Sequence, residues 1–140
     1  MPGNLPKEIE KVVHDLRRDE GAREIWLIGS QASGCATPQS DWDLLIIADR
    51  EPIVRSHRES SVDVLWCGPS GRVLLEGQPE SLEFKFSDFH WNEYENGRAK
   101  YRGRKFTDAS ASIIRDAAEP IQKFVEAAAV RLWARQHEQK

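Results

Sequence analysis

The sequence predicts an α+β fold: a small mixed β-sheet flanked by helices, in a single domain. Three observations predict it. Helical spacing opens the chain at Ile9, Val12, Val13 and Leu16, and returns near its end from Ile113 through Ile121 and Phe124 to Leu132. Between these segments lie short apolar runs at 25–28, 44–48 and 61–67, too short for helices and bounded by turn-forming residues. No internal repeat or low-complexity linker divides the 140 residues, a length that suits one domain with one core.

The elements follow in order. Residues 6–18 read as an amphipathic helix, with Pro6 suited to its first turn and Gly21 to its C-terminal stop. Ile25-Trp-Leu-Ile28 is a buried strand that runs straight into Gly29-Ser30, and residues 44–48 form a second with continuous apolar character. A third covers 61–67 and ends at the breaker Gly68-Pro69. Residues 71–77 read as a turn or short helix around Val73, Leu74 and Leu75. Over 82–88, Leu82, Phe84 and Phe86 alternate onto one face, the pattern of a half-buried strand. Residues 89–105 are aromatic and basic, with weak periodicity. The core is expected within 5–88, followed by a C-terminal helical segment over 107–136 that Pro120 kinks or divides.

Composition narrows the functional classes. An apolar fraction of 39%, a charged fraction of 31% and a net charge of -3 describe an ordinary globular domain without a global pull towards nucleic acid. No apolar run approaches the roughly 20 residues of a membrane span, and the first residues lack an export segment, so a cytoplasmic protein is expected. Cys35 and Cys67 have neither disulfide density nor zinc-site spacing and read as free thiols.

The chemistry concentrates where the second and third strands begin. Asp41 and Asp43 sit at i and i+2, so on a strand their carboxylates point to one side while Trp42 points into the core. Two like charges held so close are unfavourable without a cation between them, and oxygen donors of this kind select a hard ion such as Mg²⁺ or Mn²⁺. Asp63 interrupts the third strand between Val62 and Val64, where a carboxylate calls for a partner or a ligand role. If that strand neighbours the second, three carboxylates form a cage for two metals. Gly29 lets the backbone approach a phosphate, and the Ser30 hydroxyl can contact its oxygens. Such a corner suits in-line attack of a hydroxyl on the α-phosphate of a nucleotide.

The order of apolar strand, Gly29-Ser30, a ten-residue loop, Asp41-Trp42-Asp43 and then Asp63 resembles the polymerase-beta-like nucleotidyltransferase superfamily, in its minimal prokaryotic form. The resemblance covers roughly residues 5–67. It implies that Asp41 and Asp43 bind both metals and that Asp63 binds the catalytic metal and helps deprotonate the acceptor hydroxyl. Ser30 would contact the triphosphate. It further implies transfer of a nucleoside monophosphate from ATP or another triphosphate to a hydroxyl on a protein, a tRNA end or a small molecule. Short members often pair with a helical toxin, so a partner toxin is an expected acceptor. One departure bears on activity: members often carry Arg where this chain has Gln31 and Ser33. An antitoxin-like or regulatory binding module that keeps the fold is therefore the alternative.

Simpler readings stand beside these. Asp41 and Asp43 alone would pass for an acidic turn before a strand, and Asp63 for a solvated edge residue. Arg98, Lys100, Arg102 and Arg104 put four cations on one face of a strand, suited either to phosphates or RNA or to a solvated edge. Trp91, Tyr94 and Tyr101 are candidates for base stacking or for the core. His14, His57, His90 and His137 show no metal spacing, and His57 is near the site in sequence alone. The apolar stripe of the C-terminal helix, Ile113 to Leu132, reads as core, and the same face is a candidate for contact with a second copy of the chain, in a homo-oligomer, or with another protein.

Overall fold

A computed structural model of the chain describes residues 5–34, 42–58, 62–106 and 122–136. Helix α1 spans Lys7–Arg17, with Glu8 and Glu10 in its first turn and His14 and Arg17 in its last, as the helix dipole favours. Strand β1 (Ala22–Ile28) leads into a one-turn helix α2 (Gly29–Ser33). Strands β2 (Trp42–Ala48), β3 (Val62–Cys67) and β4 (Arg72–Leu75) follow, then the two-residue β5 (Phe84–Lys85). Strands β6 (Asn92–Glu95), β7 (Arg98–Phe106) and β8 (Gln122–Ala134) complete one sheet in the order β5-β4-β3-β2-β1-β8-β7-β6. Among the described strands β2 and β3 run parallel, and the other neighbours are antiparallel.

Side-chain alternation gives the sheet two apolar faces. The four apolar residues of α1 cover Ile25, Leu27, Leu44, Ile46, Val62 and Val64 on one of them. The other is concave and carries Trp26, Leu45, Val73, Ala99 and Ala129, with Phe84, Phe86, Trp91 and Tyr101 against them. The sheet curls because its two ends meet: Phe86, just after β5, lies 5.6 Å by ring centroid from Trp91, just before β6. The mixed sheet therefore matches the expected fold class, while the flanking helices reduce to α1 and the single turn of α2 among the described residues.

Three expected elements take another form. Over 122–134 the C-terminal helix is replaced by β8, and residues 107–121 lie outside the described set. The physical cause is the second edge of β1. Ile25, Trp26 and Leu27 are almost wholly buried, so their backbone groups need partners on both sides. β8 pairs with β1 at Glu24–Ala134 through Leu27–Val130, and with the whole of β7 on its other edge. Alanines at 127–129 tolerate either period, and sheet pairing decides. The helical face expected to meet a second subunit is accordingly absent over these residues.

Residues 72–75, expected as a turn or short helix, form a strand against β3, burying both Val73 and Leu74. A short run buried on both faces carries no periodicity to separate strand from helix. The strand expected over 82–88 contracts to Phe84–Lys85 between 3₁₀ turns at Glu80–Leu82 and Phe86–Phe89, because the chain leaves one sheet edge there for the other. Residues 92–106 form a hairpin, and its Asn96-Gly97 turn, with Gly97 at φ +82°, is the hairpin signal within a stretch of weak periodicity.

Cys67 is a buried free thiol, and Cys35 lies outside the described residues. Burial, with a smaller contribution from the charge of Glu51, pushes the Cys67 thiol from 9.0 up to about 11. A raised folded value means the native state holds its proton more tightly than the unfolded chain, so stability falls as pH rises from 9.0 through about 11. Urea midpoints across this window should decline more steeply for the parent chain than for Cys67→Ala. No described helix is long and apolar enough to cross a membrane.

Candidate active site

The parallel pairing of β2 and β3 sets Asp43 directly opposite Asp63, and the antiparallel pairing of β1 and β2 sets Ile28 opposite Asp43. Alternation places both carboxylates on the concave face. Trp42, on the other face, packs against the cluster under α1, as expected. Asp63 thus enters the site through strand register, and its side chain is 38% exposed, open to a ligand rather than sealed in the core. Asp41 lies outside the described residues. Ser30 follows Gly29 in α2.

Gly29 is the pivot of this corner. Its φ is +78°, and a Cβ there would stand 2.5 Å from Asp43 Oδ2. The carboxylate lies flush against the backbone at the point where β1 turns. The Gly29 N–H donates to the Tyr101 hydroxyl at 2.9 Å. Burial pushes the Tyr101 phenol above its ordinary range, the charge of Asp43 adds to the rise, and the Gly29 bond partly opposes it. Sequence spacing gives Tyr101 no link to this site, since 72 residues separate it from Gly29. We expect Gly29→Ala to lose about 1–2 kcal/mol in urea unfolding, because alanine resists left-handed backbone and its methyl displaces Asp43.

His57 also belongs to this corner, contrary to the sequence expectation. Its Nε2 is 3.4 Å from Asp63 Oδ1, and its Nδ1 is 2.5 Å from the Arg58 carbonyl. The crossover from β2 to β3 is pinned where it carries this ring. Arg55 stacks over Trp66 at 4.0 Å and pairs with Asp19. Arg58 pairs with the buried Glu76, which also accepts the Trp66 indole N–H at 2.8 Å. Gly77, at φ +91°, donates to the Arg55 carbonyl, and a Cβ on it would come within 2.8 Å of His57 Cβ. The half-exposed ring lies beside Gly77 with Nε2 turned to Asp63.

The remaining candidates sit elsewhere. β7 pairs with β8 along its whole length but with β6 only over Arg98, Ala99 and Lys100, so of its cations Arg98 and Lys100 lie between two strands. Ala99 and Tyr101 face the concave cluster, which puts Arg98, Lys100 and Arg102 on the opposite face from the carboxylates. Lys100 pairs with Glu126 at 3.6 Å and lies over Tyr94. Trp91 and Tyr101 stack on each other at 5.8 Å within the aromatic cluster. Ser33 Oγ accepts the Ala128 N–H at 3.2 Å.

The donor set suits a hard divalent cation: two carboxylates in register on neighbouring strands, with that of Asp43 seated against the bare backbone of Gly29. Among the described residues no three metal-ligating side chains form one cluster, and the third expected carboxylate, Asp41, is not among them. A family model described as a nucleotidyltransferase domain matches residues 9–125. No curated protein and no solved structure matches the chain.

Proposed function

The chain belongs to the nucleotidyltransferase domain family, and from that premise we propose a metal-dependent enzyme that moves a nucleoside monophosphate from a nucleoside triphosphate, ATP by preference, to a hydroxyl acceptor. The observation that carries this reading is the register of Asp43 with Asp63 beside Gly29. Asp43 and Asp63, with Asp41 from the sequence motif, would hold Mg²⁺ or Mn²⁺, which supplies Lewis-acid charge at the α-phosphate and the leaving pyrophosphate.

The chain's own groups have separate tasks. The Gly29-Ser30 turn orients the triphosphate, and Tyr101 holds that turn in place through the Gly29 amide. The acceptor oxygen bonds to the α-phosphorus as the bond to the bridging oxygen breaks, and pyrophosphate leaves with its electron pair. Asp63 takes the acceptor proton and passes it to solvent. A hydroxyl of a partner toxin is the acceptor that the family resemblance favours.

One observation favours the second reading, an antitoxin-like or regulatory binding module. Ser33, where relatives often carry Arg, is committed to the backbone of β8. The two readings separate with ATP labelled at the α- or the γ-phosphate, incubated with Mg²⁺ and candidate acceptors. Nucleotidyl transfer deposits the α-label and never the γ-label. Failure of either label to transfer, with no metal-dependent nucleotide binding, favours the binding module.

A further inference from the structure

The Tyr101 ring packs as a phenylalanine would, but its hydroxyl reaches the carboxylate corner. The oxygen accepts the Gly29 N–H at 2.9 Å. That amide belongs to the turn proposed to orient the triphosphate, and the phenol occupies it. Accepting this bond uses a lone pair and leaves the O–H proton to be donated in turn. Among the described residues no acceptor takes that proton. The amide also polarises the hydroxyl it bonds, which makes the O–H a better donor. What the turn offers a phosphate at this point is therefore a phenolic O–H in place of the Gly29 amide hydrogen.

The surrounding packing fixes where that hydroxyl stands. The ring stacks on Trp91 at 5.8 Å with 26° between the planes, and Phe89 lies 6.3 Å away. Tyr101 pairs with Ala127 of β8, and the next residue, Ala128, is tied to Ser33 of α2. Ring and turn are thus anchored to the same strand. A donor held in place before its ligand arrives loses little freedom on binding. A phenol also keeps its proton at neutral pH, so it can donate to an anion without bringing a charge of its own.

We infer that the Tyr101 hydroxyl is a direct ligand of the nucleotide, donating its proton to a phosphate oxygen while it holds the Gly29 amide. This role rests on the nucleotide-site reading of the preceding subsection and adds a residue of β7 to that site.

The phenol carbon bearing the hydroxyl, Cζ, reports the contact by NMR, because donation to an anionic oxygen moves its signal downfield. The chain has two tyrosines, so Tyr94→Phe leaves a single signal in protein whose tyrosine is isotope-labelled at Cζ. Mg²⁺ with an ATP analogue bridged by a methylene between the α- and β-phosphates should move that signal downfield, and Mg²⁺ with adenosine should not. In calorimetry Tyr101→Phe, which keeps the ring and its stacking, should weaken binding of the analogue by at least about tenfold while circular dichroism confirms the fold. Binding in Tyr101→Phe within about twofold of the parent overturns the inference and leaves the carboxylate site standing. Weakened binding with an unmoved Cζ signal also overturns it, since Tyr101 then acts only by holding the turn. Failure of the parent chain to bind the analogue with Mg²⁺ overturns the nucleotide-site reading itself.

Discussion

Asp43→Asn should lower nucleotidyl transfer by at least about a thousandfold and leave the fold at least as stable as the parent. The activity loss follows from charge. A metal at the α-phosphate contributes several kcal/mol to the transition state, and each 1.36 kcal/mol is about a factor of ten in rate. Asparagine keeps the shape of the side chain and removes the charge that holds the ion. The stability half of the prediction follows from register: Asp43 faces Asp63 on the neighbouring strand, and without metal two like charges there repel. Single-turnover transfer from α-labelled ATP, paired with urea unfolding, checks both halves. A variant within about tenfold of the parent in rate would remove Asp43 from the site.

Trp26→Ala should cost about 3–5 kcal/mol, a large share of the roughly 5–15 kcal/mol that holds a domain of this kind together. Trp26 is 1% exposed at the centre of the concave face. Its ring meets the Trp91 edge at 5.0 Å and lies under the Arg131 guanidinium at 5.6 Å. The indole N–H donates to Glu24 at 2.7 Å. These contacts tie β1 to the segment entering the β6–β7 hairpin, and that hairpin carries Tyr101 to Gly29. Urea unfolding followed by circular dichroism measures the loss, and a shift under about 1 kcal/mol would mean the concave face is not the core it is described to be.

The site was readable in the chain to the extent that it depends on short-range rules. Asp43 and Asp63 interrupt apolar strands, and the alternation of a strand puts Trp42 and Asp43 on opposite faces whatever the topology. The pairing of Asp43 with Asp63 needed the parallel register of β2 and β3, which no local pattern encodes. His57 and Tyr101 were out of reach for the same reason. One arrives by a crossover pinned through Arg55 and Glu76, the other on a strand whose partner is β8. β8 itself was hidden because Ala128 and Leu132 fit helical spacing, while the demand of β1 for a second partner is invisible along the sequence. The Asn96-Gly97 hairpin differs, since its turn signal was present and the weak periodicity around it obscured it.

Asp43, Asp63 and Gly29 are proposed to form one metal–nucleotide site. Calorimetric titration of the chain with a nucleoside triphosphate analogue that cannot be cleaved between the α- and β-phosphates, with and without Mn²⁺, tests it most directly. Binding should require the metal and be lost in Asp63→Asn while the variant stays folded. Binding of equal strength without metal, or unchanged in Asp63→Asn, would contradict it.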